Sequence, residues 1–295
     1  VMGIGEMMRI NSELFGKHLR DFNPDVVISD FEPFTAHWAK NKGIPFISVD
    51  NEHVLTHCEI EHVKGAWFSR LSGYVITRAY YWAAQAYLVI SFFRVKPIGK
   101  NVFIVPPVVR SEVLENTPSN GDYIVYYSTA ATQKEQITEI FRKYPSQKFY
   151  IYGFNEDSQE GNCIFKKRST EGFLKDMAGA RGVIASGGFT VISECLYYRK
   201  KMLLLPYDGQ YEQMINGKYL EDLGIGLNRK EINRQTLDEY FKLLEQPQMS
   251  DDRIIYPDNE EFFRIFGDVL SRLPKPIELN YKNLEPLNEE IKFVK

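Results

Sequence analysis

Cysteine is scarce in this chain. Only Cys58, Cys163 and Cys195 occur, an odd number with no C-x-x-C spacing. That argues against a disulfide framework and fits a reducing compartment, the cytoplasm. No charge of one sign prevails: 36 Lys and Arg against 39 Asp and Glu leave a formal net charge of −3. Such a balance excludes the broad basic footprint of a nucleic-acid binder. Long apolar runs are missing too. The longest, Ala79 to Phe93, contains Gln85 and Ser91 and is flanked by Arg78 and Arg94. As a helix it reaches about 22 Å, short of the roughly 30 Å hydrocarbon core of a bilayer. The opening VMGIGEMMR is interrupted by Glu6 and Arg9 and does not read as a secretory signal. Repeats and low-complexity tracts are absent. Histidine is sparse, and although His53 and His57 are spaced to share a helix face and bind zinc, H-x-x-x-H alone is not a site. No metal is expected.

What is present is ordinary globular composition, 44% hydrophobic and 25% charged, with an aromatic content of 14%. Short apolar runs alternate with longer amphipathic ones. Strands are expected at Val26–Ser29, Phe46–Val49, Tyr87–Ser91, Val102–Val105, Tyr123–Ser128, Lys148–Tyr152, Cys163–Phe165, Val183–Ala185 and Met202–Leu205. Most are continuously apolar, as strands covered on both faces of a parallel sheet are. Helices are expected at Glu6–Phe22, Phe34–Lys42, Lys134–Lys143, Thr190–Tyr198, Tyr211–Leu223, Arg234–Leu244 and Asp258–Leu273. The alternation is that of a doubly wound α/β architecture. Pro106-Pro107 and the polar stretch Ser111–Asp122 mark a boundary. It divides the chain into an N-terminal domain 1–107, a C-terminal domain 108–257, and a helix with a tail, 258–295, expected to pack back on the first domain. The first domain reads as lacking the opening strands and Gly-rich turn that such a half normally begins with.

The chemistry concentrates between Gly182 and Gly226. A strand ends in Ser186-Gly187-Gly188-Phe189 and a helix begins near Thr190. Glycines admit a ligand close to the backbone, and the new helix offers unpaired N–H groups and the positive end of its dipole, which suits a diphosphate. Glu194, one turn on, can accept hydrogen bonds from the vicinal hydroxyls of a ribose. A second strand ends at Pro206 and opens into Asp208, Gln210, Glu212, Gln213 and Asn216, amide and carboxylate groups suited to hexose hydroxyls.

The order GG, Glu six residues later, strand-Pro, then Gln-x-Glu-Gln-x-x-Asn resembles the donor-site signature of GT-B glycosyltransferases. It is closest to the branch with the peptidoglycan UDP-GlcNAc transferase and the UDP-glycosyltransferases. The resemblance implies two Rossmann-like domains facing a cleft, the second holding a nucleotide sugar, the first an acceptor. It implies that Ser128, Thr129, Gly187, Gly188, Phe189 and Thr190 hold the diphosphate and Glu194 the ribose. Gln210, Glu212 and Gln213 then meet the donor sugar, and Arg168, Ser169 and Phe173 border the nucleobase. The expected co-substrate is a UDP-sugar, with no other cofactor, and the acceptor is a saccharide, a lipid-linked or a small molecule of polysaccharide or glycolipid biosynthesis. The expected reaction is metal-independent and inverting.

On the acceptor side, Asp30, Glu32, Glu52 and His53 follow strand ends, with His53 as the candidate general base and Asp30 alternatively a helix cap. Cys195 reads as an ordinary buried thiol. The aromatic stretch from Trp67 to Phe93 reads as domain core or, with the nearby Lys and Arg residues, as a peripheral membrane contact. Two alternatives to a transferase stand: a sugar-nucleotide epimerase of GT-B shape, and a nucleotide-binding half-enzyme that needs a partner subunit.

Overall fold

The computed structural model describes residues 4–80, 84–128, 134–247 and 251–273. In chain order the first half runs through helix α1 (Ile4–His18), β1 (Val27–Ser29), α2 (Pro33–Lys42), β2 (Phe46–Asp50), α3 (Val54–His57), β3 (Cys58–Glu59), α4 (Trp67–Tyr80), β4 (Ala86–Ile90), β5 (Lys96–Pro97) and β6 (Val102–Val105). The order β1-β2-β4-β6 makes a four-stranded sheet, parallel throughout, and β3 pairs with β5 in a separate antiparallel ribbon.

The second half begins with α5 (Ser111–Leu114) and β7 (Tyr123–Tyr127), then α6 (Lys134–Phe141), β8 (Lys148–Tyr152), β9 (Ser158–Glu160), β10 (Cys163–Lys166) and α7 (Thr170–Gly179). It continues with β11 (Gly182–Ala185), α8 (Phe189–Tyr197), β12 (Met202–Leu204), α9 (Tyr211–Asp222), β13 (Gly226–Asn228), α10 (Arg234–Glu245) and finally α11 (Asn259–Arg272). Its seven-stranded sheet has the order β13-β12-β11-β7-β8-β10-β9, parallel except for the edge strand β9. Successive side chains point to opposite faces. Val183, Met202 and Leu204 therefore enter one core, and Ile124, Ile184 and Leu203 the other. Both faces are covered, which is why these strands read as unbroken apolar runs.

The last helix returns to the small sheet. Phe262 and Val269 pack with Ile47, Leu88 and Val105, and Asp258 caps α11 through the Glu261 N–H at 2.9 Å. Because the strands of each sheet are parallel, their C-terminal ends open on one edge, and the loops there face a common crevice. Both phenylalanines before the linker, Phe92 and Phe93, are buried, as is Tyr87. The reading of the whole aromatic stretch as core is corrected at Trp67, Phe68 and Tyr74, which stand exposed on α4; Tyr81 and Trp82 lie outside the described residues. Among the described residues no helix is long and apolar enough to cross a membrane.

Candidate active site

The turn after β11 is shaped by two glycines with different duties. Gly187 has φ +100°, a conformation L side chains rarely adopt, and a Cβ there would lie 3.0 Å from the Gln213 carbonyl oxygen. It lets α9 press against the turn. Gly188 caps α8 at ordinary φ, makes no side-chain cap, and a Cβ there would meet no heavy atom within 4 Å. The space above it is open, next to the uncapped first turn of α8. Phe189 turns its ring toward Phe92 of the first half, centroids 6.1 Å apart.

Glu194, on α8, is 2% exposed. Its Oε1 accepts from Arg110 Nη2 at 2.7 Å and Nε at 3.1 Å. Its buried Oε2 has no hydrogen-bond partner among the described residues. Burial pushes this carboxyl upward in pKa, and Arg110 partly offsets that. Glu194 lines a cavity of about 690 Å³ together with Thr190, Ser128, Arg168, Ser169 and Phe173. Residues expected to touch phosphate, ribose and nucleobase, far apart in sequence, thus share one cavity. Phe173 packs its ring against Tyr127 and Tyr152, at 5.2 and 5.1 Å, forming an aromatic wall. Ser169 spends its hydroxyl as the N-cap of α7, accepting from Gly172 N at 3.0 Å. Thr129 lies outside the described residues.

Opposite the glycine turn, α9 carries Glu212 and Gln213 in its first turn. Gln213 is buried; its amide donates to Gln210 and its Oε1 accepts from Tyr207 N at 3.2 Å. Asn216, fully buried, donates to Glu212 Oε1 at 2.9 Å and to the Gly187 carbonyl at 3.2 Å. It ties the helix to the turn and fixes the Glu212 carboxylate.

The first half supplies its own acidic floor. Asp50, at the end of β2, is buried and meets His53 Nδ1 at 2.7 Å and Ser48 Oγ at 2.7 Å. His53 is only 1% exposed, wedged beside His57 and Tyr87 with centroids 4.9 and 4.8 Å away. The candidate general base is thus an interior ring held by an aspartate. Burial lowers the neighbouring His57 to a pKa of about 4, with His53 adding to the shift. Glu52, beside His53, is half-buried and pushed up to about 8, first by burial, then by the charges of Glu212 and Asp50. Glu212 is raised as well, by burial and by Asp50. Asp30 is raised by burial and by Asp50. Glu32, not Asp30, caps α2: its oxygens accept from Phe34 N at 2.7 Å, Thr35 N at 2.8 Å and Thr35 Oγ1 at 2.6 Å. Those bonds commit the Glu32 carboxylate to the start of α2.

Sequence reasoning passed over three contributors. Arg110 lies in the linker and carried no motif. Gly153 has φ +119°, and a Cβ there would sit 1.7 Å from the Ser128 carbonyl oxygen, so only glycine lets the β7 and β8 ends converge. Asn155 lines the same cavity; only its place just after a strand end hinted at it. A second cavity of about 450 Å³, lined by residues including Ser186, Pro206, Asp208 and Lys230, opens on the other face of the sheet. Among the described residues no group of three or more His, Cys, Asp or Glu side chains could hold a metal ion.

The family model described as "Glycosyl transferase family 1" matches residues 1–245. The chain belongs to glycosyl transferase family 1. Solved structures agree with this glycosyltransferase in fold, which is GT-B. The kitacinnamycin glycosyltransferase superposes with a TM-score of 0.58 at 16% identity, covering 83% of this chain and 73% of that one. A UDP-GlcNAc 2-epimerase from Neisseria meningitidis, bound to UDP-GlcNAc, gives 0.57 at 13% identity, covering 92% and 83%. A Glycyrrhiza uralensis protein complexed with glycyrrhetinic acid 3-O-monoglucuronide gives 0.56 at 13% identity, covering 91% and 78%. No curated protein matches the sequence of this family member.

Proposed function

We propose that this glycosyltransferase moves a sugar from a UDP-linked donor to an acceptor hydroxyl, with inversion at the anomeric carbon. The observation that carries the reading is Glu194: one oxygen fixed by Arg110, the other buried without a partner, on the wall of a cavity that also gathers Thr190 and Phe173. A ribose hydroxyl supplies the missing donor. The diphosphate lies against the Gly188–Thr190 main chain, where the amides and dipole of α8 stabilise the charge that develops as it leaves. Glu212 and Gln213 face the donor sugar.

The acceptor oxygen bonds to the anomeric carbon as the bond to the diphosphate oxygen breaks, and the acceptor proton must go to a base on the first-half side. Glu52 takes that role in place of His53. It is half-buried, whereas His53 is enclosed, and its raised pKa places it near the working range of a general base. Asp50 and His53 underlie it as positioning residues.

Calorimetric titration with UDP, GDP and dTDP tests the donor site. UDP is expected to bind best, and Glu194→Ala to weaken it by about 1–3 kcal/mol, the cost of a lost buried polar contact. Equal binding by the variant sinks the assignment. The acidic cluster of Asp30, Asp50, Glu52 and Glu212 favours one second reading, epimerisation of the nucleotide sugar. UDP release that does not depend on any acceptor separates that reading from transfer.

A further inference from the structure

Helix α4 is built inside out. Its inward side carries small residues: Ser69 and Gly73 are half-buried and Thr77 is buried. A Cβ at Gly73 would touch Tyr211 of α9 at 3.5 Å and Leu55 of α3 at 3.6 Å, so the helix seats closely on both halves of the molecule. Its bulk points outward. Trp67 is 71% and Phe68 68% exposed, and Leu71 and Val75 continue the same stripe at helical spacing. A helix immersed in water normally turns such side chains to its core. A contiguous exposed patch of this kind marks an interaction surface.

The charge around the patch says what covers it. From residue 62 to residue 111 the sequence has no Asp or Glu. Lys64, Arg70 and Arg78 flank the stripe, are exposed, and form no ion pair with any described residue. Aromatic and aliphatic side chains bordered by unpaired cations are the chemistry of an interfacial helix on an anionic lipid surface. We infer that the outer face of α4 docks on an anionic bilayer and that the acceptor hydroxyl is presented there, on a lipid. The second clause rests on the transferase reading; the docking does not. Position agrees, because α4 packs against α9, which carries Glu212 and Gln213 at its first turn.

The test uses the full chain and sucrose-loaded vesicles of phosphatidylcholine with about one-third phosphatidylglycerol, compared with phosphatidylcholine alone. The protein should sediment with the anionic vesicles at least about tenfold more strongly than with the neutral ones. The double substitution Trp67→Ser, Phe68→Ser should lose about tenfold of that binding, and Arg78→Glu should weaken it in a salt-dependent way. UDP titration of the double variant should match the wild type, so a failed donor site shows in the titration and a failed docking face in the sedimentation. Wild-type protein that stays in the supernatant, or a double variant that sediments equally, overturns the inference. So does light scattering that shows a dimer dispersed by the double substitution, which would make a second copy the occupant.

Discussion

Two carboxylates, Glu194 and Glu52, are both raised in pKa by burial, yet they are held differently. Glu194 leans on Arg110, while Glu52 is pressed by Glu212 and Asp50. Glu52, at about 8, is protonated over much of the neutral range. If it is the base, the rate of transfer rises with pH through an apparent pKa near that value, and Glu52→Gln flattens the rise while removing most activity; a pH–rate profile checks this. Stability moves the other way. The folded protein holds the Glu52 proton that the unfolded chain has released above its ordinary 4.5. Stability is therefore greatest below that pH and falls as pH climbs through the window up to about 8. Urea midpoints measured across the window should decline, and Glu52→Gln should remove part of the decline. None of this was legible in the sequence. Asp50, Glu52 and His53 fall within four consecutive positions, but which of them is enclosed depends on how β2 ends against Tyr87 and on α9 arriving from the other half.

The helix-and-strand pattern was far more legible than the roles. Each expected strand is present within about one residue, because burial on both faces leaves a plain apolar signature. The short strands β3, β5, β9 and β13 went unseen, being too brief or too polar to carry one. Helix α4 was missed for a physical reason: its small residues face inward, so apolar spacing points the wrong way. The expected strand-to-helix turn at Gly187-Gly188 is present, but its two glycines are not equivalent. Gly187→Ala forces a side chain into the left-handed region and against Gln213, and should cost about 1–3 kcal/mol of stability. Gly188→Ala has room for its methyl, so it should fold with unchanged melting; on the proposed placement of the diphosphate it should bind UDP more weakly, because the methyl would enter that space. Thermal unfolding together with calorimetry distinguishes the two, and a Gly188→Ala protein with wild-type affinity would remove the diphosphate from that turn.

The halves of the molecule are braced by aromatic contacts on one side of the crevice. Tyr219 stacks on Phe93 with centroids 3.8 Å apart and accepts from Glu61 N at 2.9 Å, while the Tyr211 hydroxyl meets His62 Nδ1 at 3.1 Å. Tyr219→Ala should lower unfolding stability by about 2–3 kcal/mol, read from urea denaturation, through lost ring burial and stacking. The connector itself is pinned as well: Val109 exchanges hydrogen bonds with Asn259 of α11, at 3.0 and 2.7 Å. The next residue is Arg110, whose guanidinium grips Glu194. One carboxylate thus answers both to the connecting segment and to whatever fills the cavity. A guest that engages its second oxygen would therefore share that carboxylate with the guanidinium of the segment joining the two lobes, so donor affinity and the seating of the connector should respond together to Arg110→Ala.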